Sequence, residues 1–242
     1  LWPAIRWLLK RGQDAFQKMR YAPFPVVGAP SGMALGGGCE VLLHCDAVEA
    51  HAETYMGLVE AGVGIVPGWG GCKELLGRWT VATDRPGGPM PPVMKVFETI
   101  AMAQVAKSAM EARDFLFLRA SDGIVMNRDR VLAAAKARAL EMAETYRPPE
   151  PYEMRLPGPT GRTALALGVR DFINKGVASA HDGVIAGELA LVLSGGDTDA
   201  LDTVSEDRVL RLERDAILKL VRTDKTLARV EHMLKKGKPL RN

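Results

Sequence analysis

The chain has 242 residues, 47% hydrophobic and 25% charged, with 32 Lys and Arg against 29 Asp and Glu, a formal net charge of +3. Such a length can bury one large core or two small ones, and the mixture is that of a soluble folded protein, which excludes a disordered or fibrous chain. The slight basicity suits a phosphorylated ligand but is no nucleic-acid footprint.

Cys39, Cys45 and Cys72 form neither a disulfide framework nor a zinc or redox spacing. No metal is expected, and a reducing compartment fits. With no apolar run near the roughly 18 residues of a membrane span and no secretory leader, a cytoplasmic protein is expected.

Residues 1–19 read as an amphipathic helix, with Ile5, Leu8, Leu9, Ala15, Phe16 and Met19 near helical spacing. Because the chain opens on Leu1 rather than Met and already within a helix, it reads as beginning partway through something larger. A buried strand follows at 24–29, and a glycine cluster then leads into an apolar helix at 39–45. A second strand at 46–52 and a second glycine-rich loop at 62–71 precede a helix at 72–79. The Pro- and Gly-rich stretch 83–92 predicts an exposed connection and a candidate boundary. Beyond it come a helix over 93–111, a strand at 123–126 and a helix over 129–146. A second connection, 147–161, leads to helices near 162–178, 181–193 and 205–236, the last broken near Thr223-Asp224. The tail from 162 onward reads as wholly helical. The division is therefore an α/β core over 1–146 and a helical extension over 147–242, without internal repeats.

Gly36-Gly37-Gly38 at a helix start leaves backbone N–H groups free where the helix dipole also favours negative charge. The consecutive glycines match neither a P-loop nor a dinucleotide fingerprint, which makes a developing oxyanion a better fit than phosphate. Taken alone, the triplet is equally a tight packing turn. Glu40 stands in the first turn of an otherwise apolar helix, either as a working carboxylate or as an acid on the helix dipole. Glu60, alone, reads as a surface residue. His44 reads as core packing and a helix cap, and His51, His181 and His232 as surface histidines. Trp69 reads as packing, Gly68 to Gly71 as backbone geometry, and Lys235-Lys236-Gly237-Lys238 as a solvated end.

Pro25-Val26-Val27-Gly28-Ala29, Ala34-Leu35-Gly36-Gly37-Gly38-Cys39-Glu40 and Gly64-Ile65-Val66-Pro67-Gly68-Trp69-Gly70-Gly71 together resemble the signature of the crotonase (enoyl-CoA hydratase/isomerase) family. The segment from Ser108 to Val125 resembles that family's later helix and strand. The helical tail is similar to the C-terminal hydratase module of bacterial proteins that join 3-hydroxyacyl-CoA dehydrogenase and hydratase activities.

The resemblance implies an α/β fold, the crotonase-type (ClpP/crotonase) spiral of strand-turn-helix units, here N-terminally truncated and carrying a helical C-terminal extension. It implies that the Gly37 amide is one oxyanion-hole donor to an acyl-CoA thioester, with Glu40 and Glu60 as the acid/base pair and Gly36, Gly38, Pro67 and Gly68 beside the substrate. The second donor and the adenine pocket would lie upstream of Leu1, so a fragment with an exposed sheet edge and no activity of its own is expected. No cofactor is implied in this segment: coenzyme A belongs to the substrate, and NAD would serve only an upstream dehydrogenase domain. A homo-oligomer is left open. The expected reaction is reversible hydration of a trans-2-enoyl-CoA to a 3-hydroxyacyl-CoA in fatty-acid β-oxidation. The rivals are a double-bond isomerase of the same family, which needs only the carboxylate matching Glu60, and a non-catalytic helical assembly module.

Overall fold

The computed structural model describes residues 2–242. Helix α1 (Trp2–Arg20) forms where helical periodicity places it, but the residues it buries are Gln13 and Arg20, so its inner face is fixed by polar partners. Strand β1 (Val27–Gly28) pairs parallel with β3 (Ala47–His51), and β3 pairs parallel with β5 (Gly123–Val125), giving the order β1-β3-β5. Strand β2 (Met33–Leu35) pairs parallel with β4 (Tyr55–Gly57) in a second small sheet. Parallel pairing demands crossovers, and α2 (Gly37–Leu43) lies in both the one from β1 to β3 and the one from β2 to β4. The strand expected over 24–29 shrinks to two paired residues, since Pro25 has no N–H to donate and the amide of Val26 is taken by the Asp46 carboxylate at 2.8 Å.

Helix α3 (Gly71–Val81) is the axis of the molecule, buried at every residue from Gly71 to Trp79. Its charged members survive burial because each is met. Glu74 lies 3.0 Å from Arg20 and also pairs with Lys73, while the Arg78 guanidinium donates to the carbonyls of Leu43, Leu116 and Phe117.

Helix α4 (Met90–Ala101) begins on its prolines, which fill first-turn positions where a missing N–H does no harm, so the exposed connection is shorter than 83–92. The single helix expected over 93–111 is two: α4 ends, Ala103 turns through φ +48°, and α5 (Ala109–Asp114) starts afresh with Ser108 as its cap. Between them, Ala106 exchanges two backbone hydrogen bonds with Met56 of β4, at 2.8 and 3.0 Å. Helix α6 (Val131–Ala143) then packs on β1 and β3.

The tail is not wholly helical. Strands β6 (Glu153–Arg155) and β7 (Thr203–Ser205) form an antiparallel ribbon around α7 (Gly158–Asn174) and α8 (Ala180–Leu193). Each contributes one buried apolar residue, Met154 or Val204, between two exposed ones, a pattern too short to register as periodicity. Helices α9 (Glu206–Leu220) and α10 (Asp224–Lys236) close the chain, parted at Thr223, which caps α10. One apolar cluster runs from Leu43, Val48, Leu75, Leu76 and Ile100 through Leu189, Leu193, Val209 and Ile217, so α8 and α9 cover the inner helices α3 and α4. Among the described residues no helix is long and apolar enough to cross a membrane.

Candidate active site

The turn between β2 and α2 is set by Gly36, whose φ of +56° and ψ of −126° only glycine adopts without strain. Its N–H donates to the Gly57 carbonyl at 2.8 Å, tying the turn to β4. Gly37 and Gly38 follow in the first turn of α2, where backbone N–H groups have no acceptor within the helix. Gly37 is half-buried, with the Trp69 ring against it, and Gly38 is exposed.

Glu60 opens a 3-10 turn, Glu60–Val63, and reaches back to this glycine turn. Its Oε1 would sit 3.2 Å from a Cβ placed on Gly36. The surface reading of Glu60 is corrected: the side chain is 9% exposed, because Leu58 and Ala61 carry it into the core. Its Oε2 is buried without a hydrogen-bond partner among the described residues.

Glu40 is also buried, and its Oε1 accepts the N–H groups of Trp69 and Gly71, each at 2.9 Å. The acid therefore serves the start of α3 from the first turn of its own helix. Burial pushes both carboxyls up from the ordinary range. For Glu60 the charge of Glu40 is the second cause, whereas for Glu40 the amides of Trp69, Gly71 and Gly68 work against burial. Two acids that each resist ionisation beside the other are suited to holding and passing a proton.

Pro67 and Gly68 lie behind the α3 start. Pro67 packs at Gly71, while Gly68 faces Ile217 of α9 and offers its carbonyl to Gln13 at 2.9 Å. Trp69 stands edge-on to Phe16 of α1, with the centroids 5.7 Å apart, so it packs as expected and also covers Gly37.

A third acid joins this cluster. Glu213 of α9 is fully buried and accepts the N–H groups of Gly70 and Lys73, each at 2.9 Å. The sequence reading misses it, although a signal exists: Val209, Leu210, Ala216, Ile217 and Leu220 form the buried stripe of α9, and Glu213 is an acid on that stripe. Burial raises Glu213 to about 8, with the Glu40 charge adding to it.

His44 caps the end of α2, its ring against Phe16 and its Nδ1 2.7 Å from the Glu40 carbonyl oxygen. Burial lowers it to about 4, so it is neutral at physiological pH. His181, expected at the surface, is instead buried, with Nε2 2.9 Å from the Thr226 hydroxyl, which donates to the Gly64 carbonyl. Helices α8 and α10 thereby brace the turn that follows Glu60. Among the described residues no group of His, Cys, Asp and Glu is disposed to hold a metal ion.

Residues 7–79 match the family described as enoyl-CoA hydratase/isomerase. Over 239 residues, 98% of this chain, the sequence is 44% identical to "Probable 3-hydroxyacyl-CoA dehydrogenase" of Bacillus subtilis (strain 168), of whose length it spans 30%. A 64-residue stretch, 26% of this chain and 24% of the relative, is 41% identical to a short-chain-enoyl-CoA hydratase of Clostridium acetobutylicum. In three dimensions the chain is similar to an enoyl-CoA hydratase from Bacillus halodurans, with a TM-score of 0.54 at 16% identity, covering 92% of this chain and 66% of that one. Such a likeness is one of fold. The signature strand-turn-helix lies within residues 7–79, the segment that matches the enoyl-CoA hydratase/isomerase (crotonase) family, and the chain as a whole shares the fold of the solved enoyl-CoA hydratase.

Proposed function

We propose that this chain carries the acid/base half of an enoyl-CoA hydratase site, which adds water reversibly across the double bond of a trans-2-enoyl-CoA. The observation that carries the reading is the pair of buried, ionisation-resistant carboxyls, Glu60 against the Gly36 turn and Glu40 in the helix that this turn opens, the charge of Glu40 helping to raise Glu60. The Gly37 N–H, free at the helix start, would donate to the thioester oxygen, drawing electrons from the conjugated double bond and making the β-carbon electrophilic. One carboxylate would take a proton from water as its oxygen bonds to the β-carbon. The other, protonated, would deliver a proton to the α-carbon as the enolate collapses. Glu60, with one oxygen unpartnered, is free to hold water or a proton, while Glu40 is aimed by the Trp69 and Gly71 amides.

The relatives in which this sequence recurs are longer than the chain, and the 44% identity across its length supports a place within a 3-hydroxyacyl-CoA dehydrogenase protein acting in fatty-acid oxidation. There the hydration product would be the next substrate. The test uses that complete protein with a short trans-2-enoyl-CoA, followed by loss of the enoyl thioester absorbance. Glu40→Gln and Glu60→Gln are each expected to lower kcat by roughly 10²- to 10⁴-fold, the span of general acid/base assistance. Hydration that persists in either variant at the wild-type rate defeats the reading.

A double-bond isomerase is the second reading, favoured by one fact: an oxygen of Glu40 is occupied by two amides, which leaves Glu60 the freer proton carrier. Isomerisation of a 3-enoyl-CoA that survives Glu40→Gln but not Glu60→Gln selects it.

A further inference from the structure

The start of α3 presents backbone N–H groups to two acids that arrive from different parts of the chain. Glu40, from α2, takes those of Trp69 and Gly71, and Glu213, from α9, takes those of Gly70 and Lys73, all at 2.9 Å. Gly70, the residue preceding the helix, has φ +97° and no side chain with which to cap it. A Cβ there would fall 2.7 Å from the His44 ring, so a local Ser or Asp cap is sterically barred.

Building on the reading of Glu40 and Glu60 as an acid/base pair, we propose that Glu213 is a positioning residue of the site: it fixes the 69–71 turn from which Glu40 hangs and, where it ionises at alkaline pH, sets a further negative charge beside the pair. The turn has an acceptor on either side. Without Glu213 the Gly70 and Lys73 amides are buried without a partner, a costly state, and the neighbouring acceptor able to relieve them is Glu40. Turning to them, Glu40 would leave the orientation that Trp69 and Gly71 now impose.

The surroundings argue that the charge matters as well as the shape. Glu40 and Glu60 face Glu213 from α2 and the 3-10 turn, and both Glu60 and the Cys72 thiol are pushed up in part by it. From α1, Gln13 donates to Glu213 at 3.3 Å, and Arg214 binds the other end of that amide. The Lys73 ammonium is directed to Gln17 at 2.8 Å and to Glu74, and its charge opposes the rise of Glu213 only as the least of the causes. Raised to about 8 itself, Glu213 is negative only towards alkaline pH, and there it favours retention of a proton on Glu60.

The experiment is the kcat/KM against pH profile of Glu213→Gln and Glu213→Asp in the complete protein, with a short trans-2-enoyl-CoA. A glutamine at 213 keeps the shape but has one accepting oxygen, so it leaves Gly70 or Lys73 unserved and removes the charge. Its kcat is expected to fall roughly tenfold to a hundredfold through misplacement of Glu40, with KM unchanged. The alkaline limb of its profile, where Glu213 would be ionised, is expected to move to lower pH. Glu213→Asp, which keeps the charge, is expected to return the profile to its wild-type position while kcat stays below wild type. An unmoved Glu213→Gln profile, or a loss that follows KM and melting temperature alone, overturns the proposal. Should Glu213→Gln not fold, a wild-type kcat in Glu213→Asp overturns it instead. Glu40→Gln and Glu60→Gln run beside them: activity in either sinks the hydratase reading, whereas their inactivity with an unmoved Glu213→Gln sinks the positioning role alone.

Discussion

Gly36 is the residue on which the site's shape turns. Its φ of +56° lies where L side chains are strained, and a methyl group there would stand 3.2 Å from Glu60 Oε1. Gly36→Ala is expected to cost about 1–3 kcal/mol in stability, read from the urea midpoint, and to displace Glu60. Glu60 also predicts a pH dependence. Burial, then the charge of Glu40, holds it protonated above the ordinary carboxylate value of about 4.3, so the folded state binds a proton that the unfolded chain releases. Its contribution to stability is full below that value and is lost as pH rises through its folded value. Glu60→Gln cannot ionise, and its melting temperature is expected to fall less than that of the wild type between acid and mildly alkaline pH. Parallel melting curves for the two proteins would refute this. His44 acts in the opposite sense: held at about 4, below its unfolded value of about 6.5, it adds stability that disappears as pH falls through that window.

At the scale of elements, α3 holds α1, α2 and α9 together through charge. Glu74 is fully buried, and although burial opposes its ionisation, Lys73, His44 and Arg20 prevail and hold it at about 2. Around it Lys73 reaches Gln17 and Glu206, and Glu206 accepts from Tyr21 at 2.7 Å, so helices α1, α3 and α9 share one network. Removing its central anion strands two buried cations. Glu74→Ala is expected to lose about 3–5 kcal/mol, measured by denaturant unfolding, while exposed pairs such as Lys95 with Glu98 are expected to contribute under about 1 kcal/mol.

Across the whole molecule, the inner helices depend on the C-terminal ones. Leu75, Leu76 and Ile100 belong to one apolar cluster with Leu189, Leu193 and Ile217, and all but Ile217 are fully buried. Leu189→Ala is expected to cost about 2–5 kcal/mol. A chain ending at residue 146 would expose α3 and leave Gly70 and Lys73 without the Glu213 carboxylate. It is expected to lose cooperative unfolding and to bind a hydrophobic dye, and a sharp melting transition in that piece would disprove the dependence. Such a result would also mark residues 1–146 as an independent unit.

The amino-acid sequence by itself determined what local geometry governs. Helical periodicity drew α1, glycine placed the β2-turn-α2 unit with Glu40 in its first turn, and Thr223 capped α10 at the expected break. Tertiary structure decided what depends on distant neighbours. The break at Ala103 follows from pairing with Met56, and the ribbon of β6 and β7 joins strands separated by two helices. Glu60 is buried by what packs over it, and Glu213 reaches the amides of Gly70 and Lys73 from 143 and 140 residues away. A short-range pattern records which face of a helix is apolar, but an acid on that face gains its role only from donors that the fold brings to it.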